Sequence, residues 1–192
     1  HSMGGQQFGA DTVHLDMRGM DAVVQFDREH GLIEVESGIM WPKLIGYLHA
    51  VQDGEGTIWA VRQKQTGIDH VSIGGSLASN IHGRGLQFPP FISDIESFRI
   101  IGADGRTRTC SRSENRDLFG LAIGGYGLFG VVTHVTIRLV PRCKVKRMVE
   151  VIAVRNLMPR IDAAIEDGFI FGDCQYSIDL HGDEEFHPGV FS

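Results

Sequence analysis

The chain has 192 residues, 42% apolar and 22% charged, with a formal net charge of −6. This length and composition bound one domain, or one and a fraction, with enough apolar residues for a core. The acidic balance argues against nonspecific nucleic-acid binding, which needs Lys and Arg against phosphates.

No apolar run approaches the roughly 18 residues that span a bilayer. Cys110, Cys143 and Cys174 are far apart and odd in number, which disfavours a disulfide framework or zinc site and fits a reducing, cytoplasmic compartment. The 25 glycines cluster at the start, at 67–85 and at 120–130, marking tight backbone places. The chain opens on His1 inside a polar, glycine-rich stretch, so both a fragment boundary and a tag remnant at 1–3 stay open.

In chain order, residues 1–10 are loop by composition, and the alternating Thr12–Met17 predicts a short strand. Ala22–Phe26 and Leu32–Glu36 are β-rich runs split by Arg28–Gly31, a hairpin signal. Leu44, Leu48 and Val51 have helical spacing behind Pro42, which suits a first helical turn. Residues 52–70 read as mostly loop. Ile95–Ile101 predicts a strand that turns at Asp104-Gly105 and returns along Thr107–Cys110. A short helix is expected to open within Ser113–Phe119, and the β-branched run Val131–Val140 predicts a long strand stopped by Pro141. Lys144–Val154 reads as a strand, Asn156–Asp167 as a helix, Phe169–Leu180 as strand-like and His181–Ser192 as loop. Strands outnumber helices and adjacent strands are joined by short turns. The fold class is therefore α+β, an antiparallel or mixed sheet flanked by helices.

The stretch Ser72-Ile73-Gly74-Gly75-Ser76-Leu77-Ala78-Ser79-Asn80-Ile81-His82-Gly83 organises the chain. Paired glycines let a backbone approach a ligand closely, and with Ser and Asn they offer unblocked N–H groups and small polar side chains. The plainer reading is a turn followed by a close-packed helix of small residues. Gly125-x-Gly127-x-x-Gly130 matches the dinucleotide fingerprint in letters. The context is reversed, however, with a helical stretch before it and a strand after it, so that reading is rejected. No Walker loop, Gly-x-Ser-x-Gly elbow or metal-ligand spacing is present, and Asp183-Glu184-Glu185 reads as a solvated loop. If the glycine-rich stretches 1–10, 67–85 and 120–130 converge, they form a long cleft lined with backbone donors. The residues alone leave its ligand open.

Read in order, Ser72-Ile73-Gly74-Gly75, Asn80-Ile81-His82-Gly83, Asp104-Gly105, Asp117-Leu118-Phe119, Gly124-Gly125-x-Gly127-x-x-Gly130-Val131-Val132-Thr133 and Leu139-Val140-Pro141 resemble a known family. It is the FAD-binding domain of the vanillyl-alcohol oxidase / p-cresol methylhydroxylase (PCMH-type) superfamily, with decaprenylphosphoryl-ribose, sugar-alcohol and cytokinin oxidoreductases nearest in feel. The resemblance implies that residues 1–141 are the second part of a two-part FAD domain whose first part precedes residue 1. It also implies that 142–192 begin a substrate cap.

The implied cofactor is FAD. His1, Ser2, Gly4 and Gln6 match the end of the pyrophosphate loop, with His1 a candidate for covalent attachment to the flavin. Gly67, Ser72, Ile73, Gly74 and Gly75 match positions contacting diphosphate and ribityl. Ser79, Asn80, Ile81 and His82 match positions beside the isoalloxazine, and Val132 matches one at the adenine end. The implied activity is an FAD-dependent oxidoreductase moving a hydride from an alcohol or hydroxy carbon to flavin N5. The substrate would be a small alcohol, sugar or hydroxy acid, with His82 orienting or polarising the hydroxyl. The alternative is a non-catalytic module holding a nucleotide or sugar in the same cleft.

Overall fold

The computed structural model describes residues 9–52, 54, 56–176 and 188–192. It falls into two compact units, one of His1–Ile81 with Pro90–Arg142, the other of His82–Pro89 with Cys143–Ser192. The fold class is α+β with antiparallel sheets, as the sequence predicts.

The first unit is built on a five-stranded sheet. Strands β1 (Val23–Asp27) and β2 (Leu32–Glu36) form the expected hairpin. Its turn is held by Asp27, whose Oδ1 accepts the backbone N–H groups of Glu29 and His30 while Oδ2 lies 2.8 Å from His30 Nδ1. Helix α1 (Trp41–Val51) follows, then the two-residue strand β3 (Trp59–Ala60), helix α2 (Ile73–Ala78), strands β4 (Ile95–Ile101) and β5 (Thr107–Ser111), helix α3 (Arg116–Ala122), strand β6 (Val131–Arg138) and the short β7 (Val140–Pro141). Sheet order is β1-β2-β6-β4-β5, with β3 and β7 paired separately.

One face of this sheet is the core. Ile33 and Val35 of β2, with Val135 and Ile137 of β6, are buried at period two, as a half-buried strand requires. In β4 the buried residues are Ile95, Phe98 and Ile100; the register shift between Ile95 and Ser97 moves the alternation by one residue. Leu44 and Leu48 from α1, Ile73 and Leu77 from α2, and Phe119 and Ala122 from α3 complete the same cluster. The helices thus cover one face, and each large side chain buried there contributes about 1.5–3 kcal/mol over exposure. The opposite face is polar: Glu34 pairs with Arg99, and His134 stands among them. Burial, and secondarily Arg99, holds the His134 imidazole below its usual range.

In the second unit, strands β8 (Glu150–Ala153), β9 (Cys174–Tyr176) and β10 (Pro188–Phe191) pair antiparallel in the order β8-β10-β9. Helix α4 (Leu157–Glu166) buries Ala164, and its Arg160 lies 5.1 Å over the Phe191 ring. The segment after His82 joins this unit through Leu86 N–H to the Ile170 carbonyl (3.0 Å) and an edge-to-face Phe88–Phe171 pair.

Four local expectations need correction. Thr12–Met17 is not a strand: it pairs with no strand, and a single 3-10 turn follows at Met17–Gly19. Residues 52–70 are mostly loop as expected, with the two residues Trp59–Ala60 pairing with Val140–Pro141. The strand expected over Lys144–Val154 narrows to Glu150–Ala153, and that over Phe169–Leu180 to Cys174–Tyr176, with 177–180 outside the described residues. The polar end, expected as loop, contributes Pro188–Phe191 as the central strand of a sheet. In that strand Gly189 sits 2.9 Å, at the position of a missing Cβ, from Cys174 Sγ. Among the described residues no helix is long and apolar enough to cross a membrane.

Candidate functional site

The site is assembled by one turn. Where β2 ends, Ser37 donates its N–H to the Thr133 carbonyl (2.8 Å) and accepts the Gly74 N–H (2.7 Å). The next residue, Gly38, donates to the Met20 carbonyl at 2.8 Å. A Cβ on Gly38 would fall 2.0 Å from the Met17 carbonyl oxygen, so only glycine lets the 17–20 backbone cross here. Residues 37–38 thereby tie three distant segments together: the 12–20 stretch, α2 and β6.

Helix α2 is capped by Ser72, whose Oγ accepts the Gly75 N–H at 3.1 Å, the usual service of an N-cap serine. It is fixed to α1 by a buried bond from Trp41 Nε1 to Ser76 Oγ at 2.9 Å. The loop between α3 and β6 docks on its other end. Gly124 donates to the Leu77 carbonyl and Tyr126 to the Ala78 carbonyl, both at 3.0 Å.

The result is a cleft of about 610 Å³ within the first unit. Its walls come from three parts of the chain: 9–17, with Thr12, Val13 and Leu15; α2, with Ser72, Gly74, Gly75 and Ala78; and 127–132, with Gly127, Phe129 and Val132. Of the glycine-rich stretches expected to converge, 67–85 and 120–130 meet here with Gly9 of the first, whose residues 1–8 lie outside the described residues. The volume lies in the range of cofactor sites.

Among the described residues the lining has one titratable side chain, His14, and no carboxylate, in a chain whose acidic residues outnumber its basic ones 24 to 18. A dianionic diphosphate meets no like charge there. Exposed Val13 (86%) and Leu15 (58%) with Phe129 (39%) offer apolar surface to flat rings. Gly127 has φ +80 and nothing within 4 Å of where a Cβ would stand, so its backbone is bare.

One part of the expectation changes. The N–H groups of Ile73, Gly74 and Gly75 are engaged, with the Ile39 carbonyl, the Ser37 carbonyl and Ser72 Oγ. Gly74 is glycine for packing, since a Cβ would stand 2.9 Å from Ser37 Cβ. The α2 end of the cleft therefore presents a low wall rather than a row of free donors. The Ser72 hydroxyl accepts from Gly75 and keeps its own proton to donate.

Of the residues singled out from sequence, Ser72, Gly74, Gly75 and Val132 line the cleft. Ile73 is fully buried beneath it. Gly67 forms an exposed turn with φ +85. Ser79 Oγ donates to the Gly75 carbonyl at 3.0 Å, and Asn80 Oδ1 accepts the Ile92 N–H at 3.0 Å. Ile81 packs against the core and its carbonyl accepts the Phe91 N–H at 2.8 Å. His82 is exposed and belongs to the second unit. Its Nδ1 lies 3.0 Å from the Gly83 carbonyl oxygen. His1, Ser2, Gly4 and Gln6 lie outside the described residues. The sequence reading missed Thr12–Leu15, Ser37 and Phe129. The available signal was the Ser37-Gly38 pair closing a strand.

Residues 1–111 match the family model described as FAD binding domain. Cytokinin dehydrogenase 4 of Oryza sativa subsp. japonica is 29% identical over 79% of this chain and 28% of its own length. L-gulonolactone oxidase of Mus musculus is 30% identical over 69% of this chain and 28% of its own. L-galactono-1,4-lactone dehydrogenase, mitochondrial, of Arabidopsis thaliana is 32% identical over 72% and 21%. The chain thus spans less than a third of the length of these relatives. Among solved structures, an alkyldihydroxyacetonephosphate synthase superposes with a TM-score of 0.65 at 20% identity, covering 84% of this chain and 29% of that one, a likeness of fold. With more than half its residues matched, the chain belongs to the FAD binding domain family, and its cofactor is FAD.

Proposed function

We propose that the protein carrying this chain is an FAD-dependent oxidoreductase that oxidises a CH–OH group of a small alcohol, sugar or lactone. The observation that supports it most is the meeting of 9–17, 72–78 and 127–132 around one cleft with no carboxylate among its described lining residues. The similarity to L-gulonolactone oxidase, L-galactono-1,4-lactone dehydrogenase and cytokinin dehydrogenase 4 supports the redox class, and the two lactone enzymes support the hydroxyl-bearing substrate.

Bound FAD supplies the two-electron acceptor, while the protein supplies position and environment. In this reading Ser72 donates to the diphosphate, Gly74, Gly75 and Ala78 keep one wall low, and Val132 lies along the nucleotide, with Gly67 and Ser79–Ile81 shaping the adjoining turns. Residues 1–141 form the cofactor domain and 142–192 the start of the substrate cap. His82 orients or polarises the substrate hydroxyl.

The test is spectral. Whole protein purified with a yellow chromophore near about 450 nm, bleached anaerobically by an alcohol or lactone, meets the expectation; a protein that takes up no flavin refutes it. Anaerobic bleaching by His82→Ala at the rate of the unsubstituted protein removes His82 from the chemistry.

A further inference from the structure

Four non-glycine residues take positive φ among the described residues: Asp11, Asn80, Asn115 and Tyr126. Asp and Asn tolerate this region because their short polar side chains bond locally, whereas a bulky aromatic there is an outlier. Tyr126, at φ +52, stands between two glycines, either of which type would adopt the angle freely. Its backbone has little choice: the N–H is bonded to the Ala78 carbonyl, and Gly124, two residues earlier, to that of Leu77.

The ring is not retained for packing within this unit. It is 64% exposed, and among the described residues its hydroxyl makes no hydrogen bond and its ring meets no other ring. Its location is specific. Gly127 beside it and Ala78, to which it is bonded, both line the cleft, as does Phe129 three residues on. Strain held at a ligand site, with no packing return in the protein itself, points to a role in the complex.

We propose that the Tyr126 ring covers an aromatic ring of bound FAD at the rim of the cleft. This rests on the flavin reading above and adds a residue to it. Stacking on an aromatic side chain needs only a π face, which both the isoalloxazine and the adenine present.

The experiment uses the whole protein with FAD removed and added back, comparing Tyr126 with Tyr126→Phe, Tyr126→Leu and Tyr126→Gly. Two opposed effects are expected of Tyr126→Gly. The flavin-free protein melts about 1–3 °C higher, because the left-handed conformation is relieved, while the FAD dissociation constant rises about tenfold. Tyr126→Phe keeps the affinity within about threefold, and Tyr126→Leu loses it like the glycine variant. If the covered ring is the isoalloxazine, flavin fluorescence in the bound state also rises in Tyr126→Leu. If it is the adenine, fluorescence holds and the preference for FAD over riboflavin 5′-phosphate collapses. Either result supports the proposal. It is overturned if Tyr126→Gly binds FAD within twofold of the unsubstituted protein, or if that variant lowers the melting temperature of the flavin-free protein. Unsubstituted protein that takes up no FAD instead refutes the flavin reading itself.

Discussion

Gly38→Ala should dismantle the cleft from outside it. The added methyl would stand 2.0 Å from the Met17 carbonyl oxygen and 2.7 Å from that of Met20, far inside contact distance. Both neighbours are backbone, so no side chain can swing away. The 17–20 segment must retreat, breaking the 2.8 Å bond from Gly38 N–H to the Met20 carbonyl. Overpacking costs about 1–3 kcal/mol and the lost bond about 1 kcal/mol, so a destabilisation of about 2–4 kcal/mol is expected. The same retreat carries the Thr12–Leu15 wall with it and lowers FAD retention. Gly46→Ala is the control: Gly46 lies on the exposed side of α1 with nothing within 4 Å of the new methyl, and it should gain about 0.5–1 kcal/mol from helix propensity. Thermal unfolding and the ratio of flavin absorbance to protein absorbance read both variants. If Gly38→Ala melts with the unsubstituted protein and keeps its flavin, the claim that residues 37–38 build the site is wrong.

Three other outcomes follow from the same geometry. Ala78→Glu places a carboxylate in a lining that has none among the described residues and should cut FAD affinity by tenfold or more, while Ala78→Gln, of equal bulk, stays within about threefold; equal losses would mean that bulk and not charge decides. Ser76→Ala leaves the buried Trp41 Nε1 without its 2.9 Å acceptor and should cost about 1–3 kcal/mol, read by denaturant unfolding, with no loss expected if the bond is incidental. The β1–β2 turn should be pH-sensitive. The hydrogen bond to Asp27 raises the His30 imidazole above its ordinary 6.5, and bonds from the His30 backbone and ring lower Asp27 below 3.8. The His30 contribution is full below pH 6.5 and fades as pH rises through the raised value. The Asp27 contribution is full above pH 3.8 and fades as pH falls through the lowered one. Asp27→Asn keeps an oxygen for the backbone bonds and removes the charge; it should flatten the melting temperature between pH 6 and 8, and an unchanged profile would dismiss the pair.

Much of the fold was legible because it is local. The β1–β2 and β4–β5 hairpins announce themselves by short turns between β-rich runs, α1 by Leu44 and Leu48 one turn apart behind Pro42, and β6 by an unbroken β-branched run. The family was legible too, since Ser72–Gly75, Asn80–Gly83 and Gly124–Gly130 keep their order and spacing. What escaped was decided by partners far along the chain. Pro188–Phe191 looks like loop by composition and becomes a central strand only because β8 and β9 flank it. Thr12–Met17 alternates like a strand but finds no sheet edge and becomes a cleft wall.

The sequence by itself therefore determined which stretches of backbone are stripped of side chains and that they match a flavin-binding pattern. Only the tertiary structure decided what each stripped position is for. Gly38 and Gly74 clear room for neighbouring protein backbone and side chain, Gly127 faces open space, and the N–H groups at the start of α2 are consumed within the protein. Composition cannot separate these cases, because a glycine's missing Cβ acquires a purpose from whatever long-range folding brings to within about 4 Å of it.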